Sequence, residues 1–256
     1  MNEQVRRLAN ELGLHGIHSS FEARAAQAVN QSSHPLEFLA VVLEDERLAR
    51  KDRLAKSLTT RAKFRHHADI EDWDQSFDRG LSKPELKELS LLAFHRDMQN
   101  LIINGRTGEG KTHLAIVVGR RLCQEGLSVA FLSVNLLFEE VAAARAAGKL
   151  IGFLKRLNQT RVLILDDFAL RNYTHDEATI LIELLEARAR KGPVIVTTQV
   201  DHKGWFKLFE DPVIAESIVD RLVNPSRKIL LKGGSYRERL AAGSGNKNLA
   251  KEKTIK

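Results

Sequence analysis

Residues Gly105-Arg106-Thr107-Gly108-Glu109-Gly110-Lys111-Thr112 read G-x-x-x-x-G-K-T, and their setting constrains the fold more than any other stretch of the chain. Leu101-Ile102-Ile103 before them has the character of a buried strand. His113-Leu114-Ala115-Ile116-Val117-Val118 after them opens an apolar-faced helix. Strand, glycine loop and helix in that order make a phosphate-binding loop. The glycines let backbone N–H groups close around the α- and β-phosphates. Lys111 can reach the β- and γ-phosphates, and the Thr112 hydroxyl can ligate Mg²⁺. The helix N-terminus adds its partial positive charge.

From residue 100 the chain alternates strands and helices. Leu101–Ile103, Ser128–Leu132, Val162–Leu165, Val194–Thr197 and Lys228–Leu231 are short, mostly apolar runs separated by helical patterns. This predicts an α/β fold with a parallel five-stranded sheet flanked by helices. Val162-Leu163-Ile164-Leu165 runs into Asp166-Asp167, about fifty residues after the phosphate loop, as a Walker B strand does. Asp166 is expected to hold Mg²⁺ directly or through water, and Asp167 to orient or deprotonate the attacking water. Val194-Ile195-Val196-Thr197 runs into the polar pair Thr198-Gln199, which either hydrogen-bonds the γ-phosphate or the lytic water or simply terminates the strand. Arg221, at the edge of an apolar helix face, and Arg237, after the last strand, read by spacing alone as solvated charges.

Composition adds the partner class. The formal charge is +7, and residues 47–67 alone carry eight basic side chains (Arg47, Arg50, Lys51, Arg53, Lys56, Arg61, Lys63, Arg65) against Asp52, so the rest of the chain is near neutral. Concentrated Lys and Arg suit a polyphosphate partner. Leu54, Leu58 and Ala62 give the same helix an apolar seam beside its cationic face. Cys123 is the single cysteine, which excludes an intrachain disulfide and fits a reducing compartment. No signal-peptide pattern opens the sequence and no apolar run is long enough to span a bilayer, so a cytoplasmic protein without membrane contact is expected.

Four segments follow. Residues 1–67 read as a small all-helical N-terminal domain for DNA or partner binding, with a polar break at Asn30–His34 and Pro35 opening the next helix. Residues 68–98 connect, with Ser82-Lys83-Pro84-Glu85 as a capped helix start. Residues 99–240 form the ATPase core. Residues 241–256, with Gly243, Ser244, Gly245 and four lysines, read as a basic, disordered tail.

One family joins these features. The phosphate loop followed by Thr112-His113-Leu114-Ala115, then Leu165-Asp166-Asp167-Phe168, Val196-Thr197-Thr198-Gln199, Asp211-Pro212-Val213-Ile214-Ala215, Ile218-Val219-Asp220-Arg221-Leu222-Val223 and Leu231-Lys232-Gly233-Gly234-Ser235-Tyr236-Arg237 resemble the IstB family of AAA+ transposition helper ATPases, close to the DnaC helicase loaders. The resemblance covers nearly the whole chain. It implies an AAA+ fold and ATP with Mg²⁺ as cofactors. It makes Gln199 a sensor I residue, Arg221 an arginine finger acting on a neighbouring subunit, and Arg237 a sensor II residue acting within its own. It implies DNA-stimulated hydrolysis, ring or helical self-assembly on duplex DNA with little sequence preference, and recruitment of a cognate transposase. Three positions depart from the commoner AAA+ pattern: Asp167 for Glu, Gln199 for Asn and Gly234 for Glu. The candidate DNA contacts are Arg50, Lys51, Arg53 and Lys56 on the basic helix and Lys149, Lys155 and Arg156 after the second strand. A replicative helicase loader is the alternative function. A small-molecule kinase would need an acceptor site and a lid, and neither is evident.

Overall fold

Three helices open the chain: α1 (Asn2–Glu11), α2 (His15–Asn30) and α3 (Pro35–Ala62). Pro35 starts α3, where its missing N–H is no loss. The computed structural model describes residues 2–74 and 76–236. These divide into two compact units, 2–58 with 123–126, and 59–122 with 127–236. Residues 59–67, the end of the anticipated N-terminal domain, thus pack within the second unit.

In the first unit α2 meets α3 at Gly16. A Cβ there would lie 2.6 Å from the Asp45 carbonyl oxygen and 2.6 Å from Glu46 Cα, so only glycine permits the approach. Glu46 of α3 then caps α2: its Oε2 accepts from the Gly16 N–H at 2.7 Å and the Ile17 N–H at 3.3 Å. Leu14, the residue before α2, has no side chain able to do this. Arg50 and Arg53 donate to the other Glu46 oxygen at 2.7 and 3.3 Å. Arg24 and Asp45 make a two-pronged pair at 2.8 and 3.0 Å between the same helices.

Burial would raise the Glu46 pKa, but the hydrogen bonds from Arg50, Ile17 and Gly16 outweigh it and hold the carboxyl below its ordinary value of 4.5. The folded pKa therefore lies below the unfolded one. The contribution to stability is complete above the unfolded value and is lost as pH falls through the folded value. Glu46→Gln is expected to reduce the unfolding free energy by about 1–3 kcal/mol at neutral pH. The gap between variant and wild type should close in acid, and urea unfolding at several pH values checks this.

The connecting segment holds α4 (Lys83–Ser90) and α5 (Ala93–Arg96). Ser82 and Glu85 form the capping box that starts α4, as the sequence implies. The sheet follows: β1 (Asn100–Asn104), α6 (Lys111–Gln124), β2 (Val129–Ser133), α7 (Val134–Ala146), α8 (Leu150–Gln159), β3 (Val162–Phe168), α9 (His175–Arg188), β4 (Val194–Thr198), α10 (Pro212–Val223) and β5 (Ser226–Leu230). The five strands are parallel in the order β2-β3-β4-β1-β5.

The expected strands are present with shifted ends. β5 begins at Ser226, two residues before the apolar run, because its polar start pairs with Asn100 and Leu101. As an edge strand it has only one neighbour and tolerates polar residues. β3 runs on through the acidic pair to Phe168, with a register break against β4 between Leu165 and Phe168. β1, β3 and β4 are buried, as their apolar composition requires. Phe168 packs edge-on against Trp205 at 4.7 Å, and Tyr173 stacks on Phe209 at 5.0 Å. Cys123 is buried on α6. Among the described residues no helix is long and apolar enough to cross a membrane.

Candidate nucleotide site

Strand order builds the site. β1 delivers the phosphate loop at its C-terminal end, β3 delivers the acidic pair at its own, and β4 lies between them. Within the loop Gly108 and Gly110 have φ of +88° and +96°, conformations that side chains disfavour. Lys111 Nζ donates to the Arg106 carbonyl at 2.9 Å. The Arg106 N–H donates to the buried Glu109 carboxylate, which braces the loop from within. The Thr107 hydroxyl donates to Gln199 Oε1 at 2.8 Å, tying the loop to the end of β4. A cleft of about 550 Å³ beside the loop is lined by Gly105, Arg106, Glu109, Gln199 and Lys232 among others.

The acidic pair meets this loop directly. Thr112 Oγ1 donates to Asp166 Oδ1 at 2.8 Å, and Thr197 Oγ1 donates to the same oxygen at 2.6 Å. The Asp167 N–H donates in turn to Thr197 Oγ1 at 2.9 Å. Asp167 has φ +60°, so the chain turns at the register break. Asp166 is fully buried, and its Oδ2 accepts no hydrogen bond. Burial raises its pKa, with the neighbouring Asp167 charge adding, and bonds from Thr197 and Thr112 only partly offset this. A buried carboxylate oxygen without a hydrogen bond, beside a hydroxyl and a second carboxylate, is a hard-oxygen donor set that fits Mg²⁺.

Two residues at this site were not singled out from the sequence. Thr197 closes an apolar strand run in the sequence, yet it bridges both acidic residues. Arg65 is one of eight basic residues in the run 47–67, yet its Nη1 lies 3.2 Å from Asp166 Oδ2 and 3.5 Å from Asp167 Oδ2. No local signal separates Arg65 from its basic neighbours. A third feature lies beside the loop: the buried Arg79 guanidinium sits 3.4 Å from the Trp73 ring centroid and 4.8 Å from that of Tyr236. Tyr236 also donates its N–H to the Gly108 carbonyl at 3.0 Å.

The other candidates are distributed as follows. His113 stacks on His66 with ring centroids 5.4 Å apart. Arg221 donates to Glu186 Oε1 at 2.7 Å and to the Ser217 carbonyl at 3.1 Å. Asn100 Nδ2 donates to the Arg221 and Leu222 carbonyls, while its Oδ1 accepts from the Val194 N–H. Arg221 is thus held at the start of β1, opposite the end that carries the phosphate loop. Arg237 and the basic tail lie outside the described residues. Arg47 pairs with Glu44, Arg50 and Arg53 with Glu46, and Lys51 with Glu125, so four charges of the basic helix have carboxylate partners inside their own unit. Lys149, Lys155 and Arg156, at and on α8, are exposed without an ion-pair partner among the described residues.

Known proteins resemble the chain over this whole framework. The family model for IstB-like ATP binding protein matches residues 7–244. An ATP-binding protein of an insertion sequence in Mycobacterium tuberculosis is 35% identical, covering 93% of this chain and 96% of its own length. The insertion sequence IS21 ATP-binding protein of Pseudomonas aeruginosa is 32% identical, covering 94% and 92%. Among solved structures, DnaI aligns with a TM-score of 0.56 at 21% identity, covering 66% of this chain and 90% of that one. AMPPCP-bound DnaA from Aquifex aeolicus aligns at 0.55 and 17%, covering 66% and 51%. The structural likenesses establish the AAA+ fold, and the sequence matches over nearly the full length establish that the chain belongs to the IstB-like ATP-binding proteins of insertion sequences.

Proposed function

We propose that this ATP-binding protein hydrolyses Mg·ATP as an assembly switch: it self-associates on duplex DNA and recruits a cognate transposase to the target. The observation that carries the reading is the convergence of the Thr112 and Thr197 hydroxyls on one Asp166 oxygen at the mouth of the phosphate loop, with Asp167 beside it. The N–H groups of the loop and Lys111 would hold the phosphates. Thr112 and Asp166 would hold Mg²⁺, which when bound neutralises charge on the β- and γ-phosphate oxygens. Asp167, partly exposed on its turned backbone, would orient the lytic water, with Gln199 close by at the loop.

Arg221 supports the self-association step. β1 has five residues, so roughly 13 Å of strand separates its start from the phosphate loop. A side chain held at that start serves a neighbour's site far more readily than its own. Insertion-sequence relatives favour the transposition reading. The likeness to the DnaC helicase loader, at 18% identity, speaks to the fold alone.

For DNA, the unpaired Lys149, Lys155 and Arg156 are better placed than the paired basic helix to offer charge to phosphates. Replacing all three by Gln should weaken duplex binding about tenfold or more at moderate salt and flatten its salt dependence, because phosphate contacts release counterions. Electron microscopy with duplex DNA and a non-hydrolysable ATP analogue tests the whole reading. Rings or filaments that need both DNA and nucleotide are expected. A monomer that binds nucleotide but ignores DNA would overturn it.

A further inference from the structure

We propose that Arg65 is a resident counter-ion of the Asp166–Asp167 pair, displaced when Mg²⁺ enters with the nucleotide, so that this side chain sets how much Mg²⁺ the site demands. The inference rests on reading these carboxylates as the Mg·ATP site. Arg65 lies outside every nucleotide-binding motif, three residues beyond α3. Its Nη1 is 3.2 Å from Asp166 Oδ2, the buried oxygen that accepts no hydrogen bond, and 3.5 Å from Asp167 Oδ2.

Three physical facts make this contact a switch rather than an incidental surface pair. First, a fully buried carboxylate next to a second carboxylate needs a counter-charge or a proton, and the guanidinium supplies that charge. Second, the backbone on both sides of Arg65 is pinned. The Phe64 ring packs edge-on against Phe131 at 5.9 Å and fills the space beside Gly119, where a Cβ would meet it at 2.8 Å. The His66 ring stacks on His113, with Nε2 and Nδ1 3.2 Å apart. Third, the Arg65 side chain is 47% exposed, so its head can leave into water while its backbone stays. A divalent cation and a guanidinium at the same oxygen repel each other, so binding of one weakens the hold of the other. Arg65 would thus close the carboxylate pair in the nucleotide-free protein and yield to Mg²⁺ arriving with triphosphate.

The test uses the full chain and Mg²⁺ titrations of a fluorescent, non-hydrolysable ATP analogue. Arg65→Gln should lower the half-saturating Mg²⁺ concentration about three- to tenfold, the scale of a coupled charge pair at a partly exposed site. Arg65→Lys should fall between the two. In EDTA without nucleotide, Arg65→Gln should melt below wild type, and adding Asp166→Asn should recover the loss by removing the uncompensated charge. An unchanged Mg²⁺ midpoint would overturn the proposal. So would a raised one, which would make Arg65 a ligand of the bound nucleotide. Failure of the underlying site reading looks different, because wild-type binding of the analogue would then show no Mg²⁺ dependence at all.

Discussion

Arg221→Ala is expected to leave nucleotide binding intact and to reduce ATP hydrolysis measured with duplex DNA present by about three powers of ten or more, the range of an arginine finger. The expectation follows from position. Asn100 anchors the Arg221 backbone at the start of β1, while the phosphate loop begins after its end. The pair with Glu186 at 2.7 Å involves a half-exposed glutamate, and such pairs contribute only about 0–1 kcal/mol, so a neighbouring triphosphate can draw the guanidinium away. A mixing experiment makes the test decisive. On the trans-finger reading, Arg221→Ala keeps an intact site and lacks the finger, whereas Lys111→Ala keeps the finger and lacks the site. Combining the two inactive variants should restore part of the hydrolysis. Full activity of Arg221→Ala alone, or no recovery on mixing, would show that the finger is not supplied in trans.

Asp167→Asn should cut the hydrolysis rate by about two to four powers of ten, the usual contribution of a positioned general base, with little effect on affinity for Mg·ATP. Asn is the right replacement because it keeps the shape and tolerates the left-handed backbone found here, φ +60°. Its N–H still donates to Thr197 Oγ1. Single-turnover hydrolysis alongside equilibrium nucleotide binding separates the two quantities. If affinity collapses together with rate, Asp167 acts as a metal ligand and the lytic water is held by another group. Asp166→Asn supplies the contrast, since loss of the buried carboxylate should weaken Mg²⁺-dependent binding itself.

Much of this was legible in the sequence because it is local or compositional. The phosphate loop needs glycine at Gly108 and Gly110 for positive φ, a requirement written into the residues themselves. Buried parallel strands must be apolar on both faces, so β1, β3 and β4 show as uninterrupted runs. β5 was displaced by two residues because an edge strand escapes that requirement. Asp166 and Asp167 stand out because they end an apolar strand about fifty residues after a phosphate loop.

What the sequence could not show depends on contacts between distant segments. Thr197 acquires its role only because β4 lies between β1 and β3, and strand order is decided by how helices cover the sheet, not by any one strand. The charge of residues 47–67 looked free because ion pairing is a matter of distance. In the folded protein Arg50 and Arg53 meet Glu46, Lys51 meets Glu125, and Arg65 meets the acidic pair. The sequence by itself determined the nucleotide-binding loop, the parallel sheet and the acidic pair, since these rest on backbone sterics and burial. Tertiary structure alone decided which cations are spent on carboxylates and which face solvent, because electrostatic energy falls with separation and separation belongs to the fold.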